Sequence, residues 1–147
     1  EAWMVAKQLA KTNIPVILEP INNLPGSFNQ LGARLDNAAM LNKAGVKILI
    51  ASHETHNSYL SRQAAGIAVS YGLPWDIALR AITSNVAEVF GLKKIGMIKE
   101  GYKADLIIWE EDPLEVSAFA KQIYISGRLM SNESRSTRLR DRYLNLD

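Results

Sequence analysis

The chain's two histidines fall in one short polar run, Ser52-His53-Glu54-Thr55-His56-Asn57. Two imidazoles and a carboxylate this close together can bind a divalent metal or pass a proton. His53 and His56 are three residues apart. That spacing departs from the i, i+4 pair of an H-E-x-x-H helix, so the run reads as a loop that carries chemistry. Within it, His53 is a candidate base or metal ligand and Glu54 a candidate base. His56 and Asn57 are candidates for orienting substrate. A second polar run, Glu19-Pro20-Ile21-Asn22-Asn23-Leu24-Pro25-Gly26-Ser27, offers Asn22 and Asn23, whose side-chain amides could bind a substrate amide. Asparagines also form turns, and Asn57 and Ser58 also cap helices, so each has a purely structural reading beside the functional one.

Apolar strands lead into both runs. Ile14 to Leu18 is a β-branched run around Pro15, and Val46 to Ala51 is a second apolar strand. The helical pattern of residues 1–11 places Trp3, Val5, Ala6, Leu9 and Ala10 on one face. Leu31 to Ala44 reads as a helix stopped by Gly45, and Ser58 to Tyr71 as an amphipathic helix stopped by Gly72. Residues 1–71 thus alternate helix and strand, which predicts a parallel sheet with covered faces. Two strands cannot make such a sheet alone. The expectation is a truncated barrel whose remaining strands come from upstream sequence or from a partner chain.

Beyond residue 72 the grammar changes. Residues 74–91 hold two helices, with Pro74 suited to a first helical position and Gly91 ending the run. Asn85 and Glu88 have the spacing of a capping box. Ile95-Gly96-Met97-Ile98, Ala104 to Glu110 and Ile123 to Met130 read as short strands, with Ser126-Gly127 as a tight hairpin turn. This predicts three regions: barrel elements over 1–91, a small β unit over 92–134 that is too short to form a two-sheet sandwich alone, and an Arg-rich tail over 135–147.

Composition narrows the function classes. The 147 residues are 48% apolar and 22% charged, the balance of a globular domain. No apolar run approaches membrane-helix length, so membrane insertion is not expected. The net charge is +2. It sits entirely in the tail, where Arg135, Arg138, Arg140 and Arg142 face Asp141 and Asp147. A neutral body argues against nucleic-acid binding. The tail itself reads as a solvated helix or as a contact for an acidic partner. With no cysteine there can be no thiolate metal site, thiol nucleophile or disulfide scaffold.

Leu73-Pro74-Trp75-Asp76-Ile77-Ala78-Leu79-Arg80-Ala81-Ile82-Thr83-Ser84-Asn85-Val86-Ala87-Glu88-Val89-Phe90-Gly91-Leu92 resembles the helical pair after the last barrel strand of the amidohydrolase superfamily. Ile95 to Ile108, with its Gly96, Gly101 and Ala104-Asp105-Leu106, resembles the segment that returns that family's chain to its β-sandwich. Asp112-Pro113-Leu114 and Ile123-Tyr124-Ile125-Ser126-Gly127-Arg128 resemble its closing strands. The likeness is greatest to the imidazolonepropionase and prolidase-like branch.

This resemblance implies an α/β fold: the C-terminal part of a (β/α)8 TIM barrel plus strands of a small β-sandwich. It implies hydrolysis of a C–N bond in a cyclic amide or dipeptide-like small molecule by water activated on one or two divalent metals, usually zinc. Ile14 to Leu18 would be strand seven and Val46 to Ala51 strand eight, with most metal ligands upstream of Glu1. Asp105 would be structural. A homo-oligomer is compatible, and the relatives include exported proteins, which favours the periplasm. The family normally carries Thr/Ser-Asp after strand eight. Here Ser52 matches, His53 occupies the Asp position, and Glu54 comes one place late. Three readings stay open: Glu54 replaces the Asp, His53 is itself ligand or base, or hydrolysis has been lost in a binding or structural relative.

Overall fold

The computed structural model describes residues 1–52, 56 and 58–144. A 3-10 turn over Ala2–Val5 leads into helix α1 (Ala6–Thr12), which ends on a left-handed Asn13. Strand β1 (Val16–Leu18) follows, then 3-10 turns at Pro20–Asn22 and Phe28–Gln30. Next come helix α2 (Asn37–Lys43), strand β2 (Ile48–Ile50) and helices α3 (Leu60–Ser70), α4 (Trp75–Ala81) and α5 (Ser84–Val89). The remainder is strands β3 (Leu106–Trp109), β4 (Ala120–Ile125) and β5 (Arg128–Met130), then helix α6 (Arg135–Leu144).

β1 and β2 pair in parallel, with Val16 opposite Ile48 and Leu18 opposite Ile50. All three residues of β2 are buried, because α2, α3, α4 and α5 all pack near it. The core is built from Leu41, Ile48, Leu73 and a row of alanines on α3 and α4. β3, β4 and β5 form a separate antiparallel sheet. Among the described residues no helix is long and apolar enough to cross a membrane.

Helices α2, α3 and α5 end alike. Gly45, Gly72 and Gly91 have φ between +65° and +95°. In each case the next residue's amide returns to the carbonyl five positions back: Val46 to Leu41, Leu73 to Ala68 and Leu92 to Ala87. Only glycine reaches this left-handed turn without strain, and the apolar residue after it packs back on the helix. These stops are the ones the sequence predicts. The hairpin is also as expected. Ser126 and Gly127 both have positive φ, the turn type whose twist matches a two-residue hairpin. Asp105 accepts the Ser126 amide at 2.8 Å and steadies that turn.

Three expectations fail for identifiable reasons. The helix expected from Leu31 begins only at Asn37, because residues 31–36 are held in turns: the Trp3 indole donates to the Gly32 carbonyl at 2.8 Å, and Arg34 grips Asp36. Ile95 to Ile98 is not a strand. Lys94 and Gly96 both adopt positive φ and bend the chain, leaving Ile98 89% exposed. Asn85 and Glu88 do not cap. Asn85 lies inside α5 and donates to the Ile48 carbonyl at 2.9 Å, and Glu88 pairs with Lys47.

Segment 110–118 fastens the antiparallel sheet to α3 and α4. The Arg62 guanidinium lies over the Trp109 ring at 4.9 Å and donates to the carbonyls of Pro113 and Glu115. The Trp75 indole donates to the Asp112 carboxylate, which also accepts the Leu114 amide at 2.9 Å. Leu114 is buried, and a Cβ added to Gly66 would sit 2.2 Å from its carbonyl oxygen.

Gly66→Ala must therefore push the Leu114 backbone away. An overpacking cost of about 1–3 kcal/mol is expected in urea unfolding. Asn85→Ala removes a donor from β2 and should cost about 1–3 kcal/mol. A Gly66→Ala protein as stable as the parent would show that segment 110–118 is not clamped on α3.

Candidate functional site

Because β1 and β2 are parallel, Leu18 and Ile50 end at the same edge of the sheet. The segments leaving that edge, 19–36 after β1 and the one that opens with Ala51 and Ser52 after β2, therefore start as neighbours. In barrels the loops at this edge carry the chemistry.

The first segment is braced. Pro20 is fully buried at the start of its 3-10 turn and contributes to the packing of that turn on α3. Asn22 donates its side-chain amide to the Glu19 carboxylate at 3.0 Å, and Asn23 donates to the Arg34 carbonyl. Arg34 grips Asp36 in a two-bond fork, with its Nε and Nη2 at 2.8 and 2.7 Å from the two carboxylate oxygens. Its guanidinium also lies 5.1 Å from the Trp3 ring centre. Trp3 in turn donates its amide to buried Asn37 at 3.0 Å. The Arg34 hydrogen bonds hold the Asp36 carboxyl below the usual carboxylate range and push the guanidinium up from its own.

Of the second segment, Ser52 is half-buried and His56 is exposed. His53, Glu54 and Asn57 lie outside the described residues. Asn22 and Asn23 follow β1 at the end of the sheet where Ser52 follows β2, and each has its amide committed within its own segment. Sequence reasoning passed over Glu19. It is a half-buried carboxylate one residue past β1, where its Oε1 accepts from Asn22. Its position directly after an apolar run was the available signal. The Trp3–Arg34–Asp36 brace had no such signal, since it joins residues over thirty positions apart.

Among the described residues, no three His, Cys, Asp or Glu side chains converge as a metal cradle. The described part of this chain thus supplies no complete metal site. A cleft of about 410 Å³ lies at the opposite end of the strands, beside Pro15 and Lys47. Its Lys47 and Glu88 neutralise one another. It is removed from the Ser52 edge and takes no part in the candidate site.

Residues 1–130 match the amidohydrolase family. The chain is 35% identical over 101 residues to an imidazolonepropionase of Cereibacter sphaeroides, covering 64% of this chain and 25% of that protein. It is 41% identical over 58 residues to the amidohydrolase tasK of Hapsidospora irregularis, covering 39% of this chain and 6% of that protein. In structure it is similar to an amidohydrolase from Thermotoga maritima, with TM-score 0.79 and 28% identity, over 90% of this chain and 35% of that one. The chain therefore spans about a third or less of the proteins it is similar to.

Two carboxylates are made more acidic by their surroundings: Asp36 in the braced segment and Asp105 at the hairpin between β4 and β5. Asp105 is held below the usual carboxylate range by the Lys103 ammonium and then by the Ser126 amide. A carboxylate whose pKa is depressed by folding stabilises the fold above its unfolded value and loses that contribution as pH falls through its folded value. Urea stability should therefore hold from neutral to mildly acidic pH and fall below the ordinary carboxylate range. Asp36→Asn with Asp105→Asn should flatten that decline; an unchanged acid slope would dismiss both carboxylates as its source.

Proposed function

Since the chain belongs to the amidohydrolase family, we propose that it supplies the last two strand-end loops of a metal-dependent hydrolase acting on the C–N bond of a cyclic amide or dipeptide-like small molecule. The observation that carries this reading is the shared edge. The parallel pairing of β1 and β2 brings Leu18 and Ile50 to the same end of the sheet, so that Glu19 and Ala51-Ser52 leave it together, in a chain similar to an imidazolonepropionase.

In this reading Glu54 or His53 accepts the proton of the attacking water and returns it to the leaving nitrogen. His56, Asn57, Asn22 and Asn23 orient the substrate by hydrogen bonds to its carbonyl and N–H groups. Glu19 keeps Asn22 in place through its carboxylate. A bound divalent ion, zinc in this proposal, would acidify water and polarise the carbonyl. The described residues of this chain do not suffice to hold it.

One observation favours a second reading. His53 stands where the resemblance puts an aspartate, and an imidazole differs from a carboxylate in charge and reach. A binding or structural relative would tolerate that change.

The test is turnover of the full-length natural protein, assayed with imidazolone, lactam and dipeptide substrates in the presence of zinc. Glu54→Gln or His53→Asn, whichever removes the proton acceptor, should lower kcat about 10²- to 10⁴-fold with KM little changed. Turnover unaffected by either substitution would remove both residues from the chemistry. No turnover with any C–N substrate would favour the binding relative.

A further inference from the structure

Helix α6 is ten residues long and buries none of them. Ser134 and Thr137 cap its start reciprocally: the Thr137 amide donates to the Ser134 hydroxyl at 3.1 Å, and the Ser134 amide to the Thr137 hydroxyl at 2.7 Å. Caps alone do not sustain a helix of this length, which is marginal in water without a packed face. The face is present. Leu139 and Tyr143 lie one turn apart, 40% and 63% exposed, flanked by Arg135 and Arg142. Among the described residues neither arginine has a carboxylate partner.

A patch of complementary character precedes it in the chain. Segment 110–119 closes on itself through the Glu110 amide and the Phe119 carbonyl, 3.3 Å apart. It presents Glu110, Glu111 and Glu115, which pair with no described cation. It also exposes Val116 and Phe119, 68% and 74% accessible. Asn132 donates to the carbonyls of Ala120 and Lys121 at 3.2 and 2.9 Å, which pins the approach to α6 next to the end of this patch.

Two surfaces linked through the Asn132 anchor, one basic and apolar, the other acidic and apolar, fit a reciprocal contact between copies: each surface meets the other across a two-fold axis. We propose that α6 of one copy docks on segment 110–119 of a second copy of this chain, and its counterpart returns the contact. Leu139 and Tyr143 cover Val116 and Phe119, and Arg135 and Arg142 face Glu111 and Glu115. This interface is independent of the reaction assigned above.

Light scattering and sedimentation on the full-length protein test it. A dimer is expected, with Arg135→Glu/Arg142→Glu weakening self-association at least about tenfold, and Glu111→Arg/Glu115→Arg doing the same. Mixing the two reversed variants should restore a complex. Cysteine pairing, in a full-length background from which any other cysteine has been replaced by serine, gives a second, independent readout. A Leu139→Cys protein mixed with a larger, tagged Phe119→Cys protein should give a disulfide-linked pair of mixed mass. A monomeric parent, a dimer indifferent to both reversals, or no rescue on mixing would overturn the proposal. So would a Leu139→Cys/Phe119→Cys double variant that closes only within one chain, and so would charge reversals that abolish binding to anionic vesicles while the dimer persists.

Discussion

Everything in the first half of the molecule hangs on the parallel pairing of two three-residue strands. A parallel pair fixes not only which residues face each other but which end of each strand shares an edge. Val16–Leu18 and Ile48–Ile50 are short, and alone they would not hold register. The register is kept by what covers them. β2 is buried under four helices, and a one-residue slip would turn its core side chains away from Leu41, Leu73 and the α3 alanines. The Asn85 amide adds a directional bond to the Ile48 carbonyl that a slipped strand would lose. Packing thus sets the register, and the register sets which loops can cooperate.

The loop after β1 shows how a polar segment can be rigid. Its buried anchor is Pro20, and its electrostatic anchor is the Arg34–Asp36 fork stacked on Trp3. An exposed ion pair alone contributes little, because solvent screens it. Here the guanidinium is also positioned by an aromatic face, and the neighbouring Asn23 ties the two ends of the segment together. Several modest constraints on one segment substitute for a helix or strand.

Legibility followed the range of the interaction. Helix stops and the hairpin turn depend on residues within five positions, and Gly45, Gly72, Gly91 and Ser126-Gly127 announced them. Parallel pairing was legible because apolar runs alternated with helices. The late start of α2 was not, because the indole that holds residues 31–36 in turns belongs to Trp3. Asn85 had the local spacing of a cap, but its donor was taken by a strand 37 residues away. The Ile95–Ile98 run had strand composition but no partner strand. Of the candidate site, the clustering of His53, Glu54 and His56 after an apolar strand was visible in sequence, and so were Asn22 and Asn23. Glu19 is marked in the sequence only by its place directly after an apolar run, and its bond to Asn22 appears only in the fold.

The close approach of Gly66 to the Leu114 carbonyl has a consequence for how this chain can vary over evolutionary time. Position 66 has no room for a side chain, and the turn above it has no room to descend. Arg62 reads the same turn through its carbonyls, so away from Asp112 and buried Leu114 the turn's sequence is free to change while its backbone path is not. Descendants of this chain should therefore keep a bare position in the middle of α3 even as segment 110–118 drifts. Where a methyl does appear at 66, a length change in that segment should accompany it, making the pair a covarying mark of the junction between the two sheets.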